Sequence, residues 1–192
     1  MVEEYKALIV DWDGTLVDSQ PLNLRSLAAA LAGHGVTLRK EWYRARLGTS
    51  GEELLAELGV PVESVPAILT ACGDLIVREV AALPTFPTVV GWVKRARAAG
   101  LPRAVASGGG GQVVRTGLQA TGLAPLFEAV VTREAVPRGK PAPDLFLAAA
   151  RQLGVAPERC LAIEDADEGL AAAAAAGMDA VDVRAWVTSR FT

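Results

Sequence analysis

After a short acidic start the chain enters an unbroken apolar run, Ala7-Leu8-Ile9-Val10, which reads as a fully buried strand over 6–11. The pattern then changes period. Leu22, Leu24, Leu27, Ala28 and Leu31 recur at helical spacing over 20–33, and Gly33-His34-Gly35 supplies a C-terminal stop. Two further helices are expected over 38–46 and 50–58, parted by Gly48-Thr49-Ser50. Ser50 with Glu53 forms a capping box ahead of the second. Residues 62–82 read as one or two helices more. No strand is expected between residues 17 and 84.

Leu83-Pro84-Thr85-Phe86-Pro87 ends that helical block, and strand and helix alternate from there on. A helix over 88–99 ends at Gly100. A strand, Arg103-Ala104-Val105-Ala106-Ser107, is closed by four glycines, Gly108 to Gly111. A helix over 112–121, a strand over 129–131 and a helix over 143–153 follow. Cys160-Leu161-Ala162-Ile163 is a strand ending in Glu164-Asp165. The next helix runs through Ala171–Ala176 to Gly177, and the last strand covers 180–183. The alanine run has helix length between a strand and a glycine stop, so it reads as a helix that approaches a sheet closely. The expected architecture is α/β: a Rossmann-like parallel sheet flanked by helices, with right-handed crossovers. Residues 1–16 and 85–192 would form that core, and 17–84 an inserted α-helical cap.

Composition narrows the class. The 192 residues suit one domain with a modest insertion, and 51% hydrophobic content is enough for a sizeable core. The net charge of −3 and the scattered Lys and Arg leave no nucleic-acid footprint. Apolar stretches are interrupted well before bilayer length, and the acidic N-terminus lacks the form of a signal peptide. Cys72 and Cys160 have the spacing of neither a zinc site nor a disulfide framework, so both are expected as small core residues in a reducing compartment. A soluble cytoplasmic protein is the expectation.

Chemistry-bearing residues stand at the predicted strand ends. Asp11 and Asp13, in Asp11-Trp12-Asp13-Gly14-Thr15, follow the first strand, and residues two apart in an extended chain share a face. On its own this pair is equally compatible with a turn or a helix N-cap. Ser107 with Gly108, Lys140 in a loop stiffened by Pro141 and Pro143, and Glu164 with Asp165 complete the set. Each also has a plain alternative, as helix cap, surface lysine and helix start. In an open parallel sheet, however, these ends converge on one edge. Carboxylates clustered without His or Cys favour a hard cation, usually Mg²⁺, while a hydroxyl, glycine N–H groups and an ammonium favour phosphate.

These stretches, with Gly139-Lys140-Pro141-Ala142-Pro143-Asp144, Gly169 and Ala175-Ala176-Gly177-Met178, resemble the haloacid dehalogenase superfamily of phosphohydrolases, in the branch with a helical cap after the first strand. The resemblance implies that Asp11 is a nucleophile forming an aspartyl-phosphate and that Asp13 is the general acid and base. It implies Mg²⁺ held by Asp11, the Asp13 carbonyl and Asp165, with Glu164 as direct or water-mediated helper. Ser107, Gly108 and Lys140 would hold the phosphoryl group. An acid at position 13 favours phosphoryl transfer over dehalogenation. Two positions depart from the pattern: Gly108–Gly111 where a Ser or Asn often follows Ser107, and Ala166 where a Ser often follows the acid pair.

In the cap, Asp18-Ser19-Gln20-Pro21-Leu22-Asn23 resembles sugar-phosphate members, including β-phosphoglucomutases. Those mutases usually carry a His where Asn23 stands, and cations where Leu47 and Gly51 stand. Asn23, Arg46 and Thr49 are the candidate substrate residues of the cap. Arg44 and Arg46 read either as an anion-attracting pair or as a solvated helix face, and His34 as part of a surface turn. The expected function is a Mg²⁺-dependent phosphatase of small phosphorylated metabolites, sugar-phosphate or phosphoglycolate-like, as a monomer or homodimer without nucleic-acid or membrane partners. A phosphomutase and a non-catalytic phospho-receiver are the alternatives.

Overall fold

The computed structural model describes residues 4–188. Five parallel strands form one sheet: β1 (Ala7–Val10), β2 (Arg103–Ala106), β3 (Ala129–Val131), β4 (Cys160–Glu164) and β5 (Asp179–Asp182), in the order β3-β2-β1-β4-β5. The earliest strand is therefore central. Parallel strands with both faces covered have no need of polar alternation, and β1, β2 and β4 are buried at every position.

The two faces of β1 carry different residues. Leu8 and Val10 join a cluster with α5 (Pro87–Ala98) and α6 (Gly111–Ala120), while Ala7 and Ile9 face α7 (Asp144–Leu153) and α8 (Asp167–Ala175). The result is a helix–sheet–helix sandwich. Ala172 and Ala173 are fully buried in the second cluster, so the alanine run lets α8 lie close to the sheet. Each expected strand is present to within a residue or two.

Residues 20–82 supply helices and no strand: α1 (Gln20–Ala32), α2 (Lys40–Arg44), α3 (Gly51–Glu57) and α4 (Val65–Glu79), with 3₁₀ turns at Val62–Ser64 and Val80–Ala82. The capping box at α3 forms as expected, with Ser50 and Glu53 bonded reciprocally. The expected helix over 38–46 is only five residues long, because the chain leaves α2 for a turn leading to Gly48, at φ +96°. This block has an apolar centre of its own, built on Leu27, Leu31, Leu54, Leu55 and Ile68. It departs and returns at one place, where Val17 bridges Thr85. His34 lies exposed in the turn after α1.

Among the described residues no helix is long and apolar enough to cross a membrane.

Candidate active site

Strand order creates the site. Asp11 extends β1 by one residue, its N–H donating to the Ile163 carbonyl at 3.0 Å. Ser107 extends β2, its N–H donating to the Val131 carbonyl, and Glu164 is the last residue of β4. Three adjacent strands thus deliver a carboxylate, a hydroxyl and a second carboxylate to one edge, as open parallel sheets allow. All three residues are buried.

The bend after β1 sends neighbouring side chains to different places. Trp12 continues the alternation of Leu8 and Val10 and is fully buried in their cluster. A β-carbon at Gly117 would overlap its ring, so the absence of one on α6 makes the space. The Trp12 carbonyl then accepts from the N–H groups of Leu16 and Val17, closing the turn. Gly14 sits in that turn at φ +86°, and a β-carbon there would also overlap the Asp165 carboxylate. One glycine therefore meets a backbone and a packing requirement together.

Asp13 is held from the start of α1. Its Oδ1 accepts from Ser19 Oγ at 2.6 Å and from Asn23 Nδ2 at 2.9 Å. Thr15 Oγ1 donates to Asp165 Oδ1 at 2.7 Å. Nothing in the sequence pattern singled out Thr15 or Ser19 individually, although Ser19 lies within the sugar-phosphate-like segment.

Lys140 is the cation of the site. Its Nζ lies 2.6 Å from Asp11 Oδ1 and also bonds Glu164 Oε1, and its side chain is only 7% exposed. Burial works against its charge, but the Asp11 and Glu164 carboxylates outweigh this and raise its pKa above the ordinary lysine value. The other oxygen of Glu164 accepts from the N–H groups of Asp165 and Ala166. Gly169 is required beneath it, since a β-carbon there would overlap the Glu164 carboxylate.

Asp11, Glu164 and Asp165 can each bring a carboxylate oxygen within 4.8 Å of the others. Burial and then the Glu164 charge push Asp165 up to about 7, against the Thr15 hydrogen bond. Burial first, and the neighbouring carboxylates of Glu164, Asp165 and Asp13, likewise raise Asp11 despite Lys140. A crowd of buried carboxylates that resists its own ionisation is the donor set a hard divalent cation relieves, and with oxygen donors alone it fits Mg²⁺.

The glycine run after Ser107 offers fewer free donors than its sequence suggests. The Gly109 N–H donates to Ser107 Oγ at 3.0 Å, and the Gly111 N–H is taken by both Glu134 carboxylate oxygens at 3.0 and 3.1 Å. Glu134 thus occupies the N-terminus of α6, a role no sequence signal announced, and Ser107 does not cap that helix. Gly108 is exposed, with open space where a β-carbon would stand.

Asp11, Asp13, Gly108, Lys140, Glu164 and Asp165 floor a cavity of about 460 Å³ roofed by the helical block, while Ser107 is fully buried beside it and does not line it. Asn23, Arg46 and Thr49 all line it, together with Gln20, Tyr43 and Leu47. Arg46 is nevertheless engaged: its guanidinium stacks 4.1 Å over Trp42 and its Nε lies 2.6 Å from Glu57 Oε2. Arg44 lines a separate cleft on the other side of Leu47. Cys72 corrects an expectation. It is half-buried, packed against the edge of two apolar clusters where α4 borders the cavity, whereas Cys160 is a fully buried core residue. Burial pushes the Cys72 thiol up to about 11.

A doubly covered parallel sheet with paired acids at the end of its central strand and an acid pair at the end of its neighbour defines a Rossmann-like α/β hydrolase. The chain belongs to the haloacid dehalogenase-like hydrolase family, whose model matches residues 5–177. It is 34% identical over 194 residues to the fructose-1-phosphate phosphatase YqaB of Escherichia coli (strain K12), spanning 96% of this chain and 99% of that protein. It is 32% identical over 185 residues to hexitol phosphatase A of the same organism, spanning 94% of this chain and 83% of that protein. Among solved structures it superimposes on CbbY from Rhodobacter sphaeroides in complex with phosphate with a TM-score of 0.84 and 29% identity, covering 92% of this chain and 84% of that one.

Proposed function

We propose that this protein is a Mg²⁺-dependent phosphatase of small phosphorylated metabolites, of the sugar-phosphate or phosphoglycolate-like class, working through an aspartyl-phosphate at Asp11. The observation that carries the reading is the buried contact between Lys140 and Asp11 beside the three-carboxylate cluster. Relatives described as fructose-1-phosphate and hexitol phosphatases support the substrate class.

Asp11, Asp165 and the Asp13 carbonyl would hold Mg²⁺, with Glu164 beside them. Bound there, Mg²⁺ supplies the positive charge that offsets repulsion between these carboxylates and a phosphate dianion. An Asp11 carboxylate oxygen attacks phosphorus, and the bond from phosphorus to the ester oxygen breaks. Asp13 gives its proton to the departing alkoxide. It then takes a proton from water, whose oxygen attacks phosphorus and returns Asp11 free with inorganic phosphate released. Ser19 and Asn23 keep the Asp13 carboxylate aimed during both transfers. Lys140 and Ser107 hold the phosphoryl oxygens, and Gly108 leaves room for them. Residues 17–84 act as the cap that excludes water over the cavity.

A phosphomutase is disfavoured by the cavity wall itself. Leu47 and Gly51 line it where mutases of this type carry cations, and Asn23 is committed to Asp13. The decisive experiment is release of inorganic phosphate from p-nitrophenyl phosphate with and without Mg²⁺, for the parent and for Asp11→Asn. Mg²⁺-dependent release that the substitution abolishes is expected. Unchanged turnover in the variant overturns the assignment. Isomerisation of a sugar 1-phosphate without phosphate release favours the mutase, and inertness toward a broad phosphate panel with Mg²⁺ binding intact favours a phospho-receiver.

A further inference from the structure

We infer that the cavity selects phosphate monoesters whose remainder is uncharged and turns away those carrying a second anionic group. The inference rests on the phosphatase reading and narrows it, separating the sugar-phosphate from the phosphoglycolate-like class.

A site for two anions needs a cation for each. Among the described residues three cations line the cavity, and all three are already matched by carboxylates of the chain. Lys140 faces Asp11 and Glu164 and belongs to the phosphoryl end. Arg46 is paired with Glu57 at 2.6 Å, its plane fixed by stacking on Trp42 and by a 3.2 Å bond from Nη1 to the Trp42 carbonyl. Arg133, from the 3₁₀ turn after β3, has its Nε 3.4 Å from Glu52 Oε2, and its Nη1 donates to the Val136 carbonyl at 3.0 Å.

Both counter-charges come from one short element. Glu52 and Glu57 stand at the two ends of α3, so a single cap helix neutralises both arginines that border the cavity away from the acid cluster. Asp74 and Glu134 also line the cavity, and in total its carboxylates outnumber its cations. A second phosphate or a carboxylate entering here would lose water without gaining an unengaged cation, and would face like charge. The remaining polar lining is neutral: Thr49 and Gln112 offer a hydroxyl and an amide, beside Gln20, Ser50 and Thr70, which also bond within the chain, and such groups complement a polyol.

The test compares glucitol 6-phosphate with 6-phosphogluconate, esters of the same length that end in a hydroxymethyl and a carboxylate. The parent enzyme is expected to prefer glucitol 6-phosphate by about tenfold or more in kcat/KM. Glu52→Gln and Glu57→Gln each release one arginine, so each should shift the kcat/KM ratio toward the gluconate by about threefold or more, a gain that shrinks as salt is added. Equal kcat/KM in the parent, or a ratio that neither substitution moves, overturns the inference while turnover of p-nitrophenyl phosphate still upholds the phosphatase. Inertness toward both esters and p-nitrophenyl phosphate overturns the phosphatase reading instead, and the inference falls with it.

Discussion

The Lys140 ammonium lies 2.6 Å from Asp11 Oδ1, although 129 residues separate the two in sequence. Both side chains are 7% exposed, and the same ammonium serves Glu164, which is 1% exposed. One lysine thus holds two buried carboxylates in place.

Its removal should be costly in a metal-sensitive way. Lys140→Met leaves Asp11 and Glu164 without their cation, and breaking a buried pair from one side costs about 3 kcal/mol, roughly 6–12 °C in Tm for a chain of this size. Thermal melts with and without Mg²⁺ check this. The variant should gain more from Mg²⁺ than the parent does, and turnover should be lost in either condition.

Ser19 should matter to catalysis more than to binding. Its hydroxyl donates to Asp13 at 2.6 Å from a site only 2% exposed. A hydrogen bond to a charged group contributes about 1.5–3 kcal/mol, so Ser19→Ala is expected to lower kcat about tenfold or more. KM should move little, since Ser19 aims a proton-transfer group and does not line the cavity. Steady-state kinetics on one sugar phosphate separate the two parameters.

Mg²⁺ binding should strengthen as pH rises toward neutrality. Asp165 is pushed up to about 7, first by burial and then by Glu164, and must lose its proton to hold a cation. Mg²⁺ affinity, measured by calorimetry, should therefore climb from about pH 6 and level off above about pH 7. The metal-free protein should show the opposite slope. Its folded state keeps a proton that an unfolded Asp releases near pH 4, so this stabilisation is present at low pH and lost as pH rises from about 4 to 7.

Gly117→Ala tests the packing behind the site. The added β-carbon would meet the fully buried Trp12 ring between the two aspartates. Overpacking of this kind costs about 1–3 kcal/mol, which chemical denaturation can resolve. Because Trp12 shares its backbone with Asp11 and Asp13, activity should fall even at temperatures where the variant remains folded.

The strands and the capping box rest on local chemistry. Apolar runs bounded by glycine or acid placed five strands, and Ser50 with Glu53 announced its own capping box. Asp11, Asp13, Ser107, Glu164 and Asp165 follow predicted strand ends and Lys140 stands in a predicted loop, and the fold brings these positions to one edge of the sheet. Pairings between distant side chains were not legible. Glu134 occupying the start of α6, Thr15 on Asp165, Arg46 withdrawn onto Glu57 and Cys72 facing the cavity all depend on how separate elements are juxtaposed. A lone arginine in a sequence reads the same whether its partner is a substrate or a glutamate eleven residues on.

The sequence by itself determined which segments become strands and which acids stand at their ends, because burial periodicity and glycine stops act over a few residues. Only the tertiary structure decided who meets whom. Placing β1 between β2 and β4 brings Asp11 beside Glu164, and folding the helical block over that edge brings Ser19 to Asp13 and Glu52 to Arg133. Those contacts span from six to well over one hundred residues, and their distances are set by sheet order and helix packing, which no local pattern encodes.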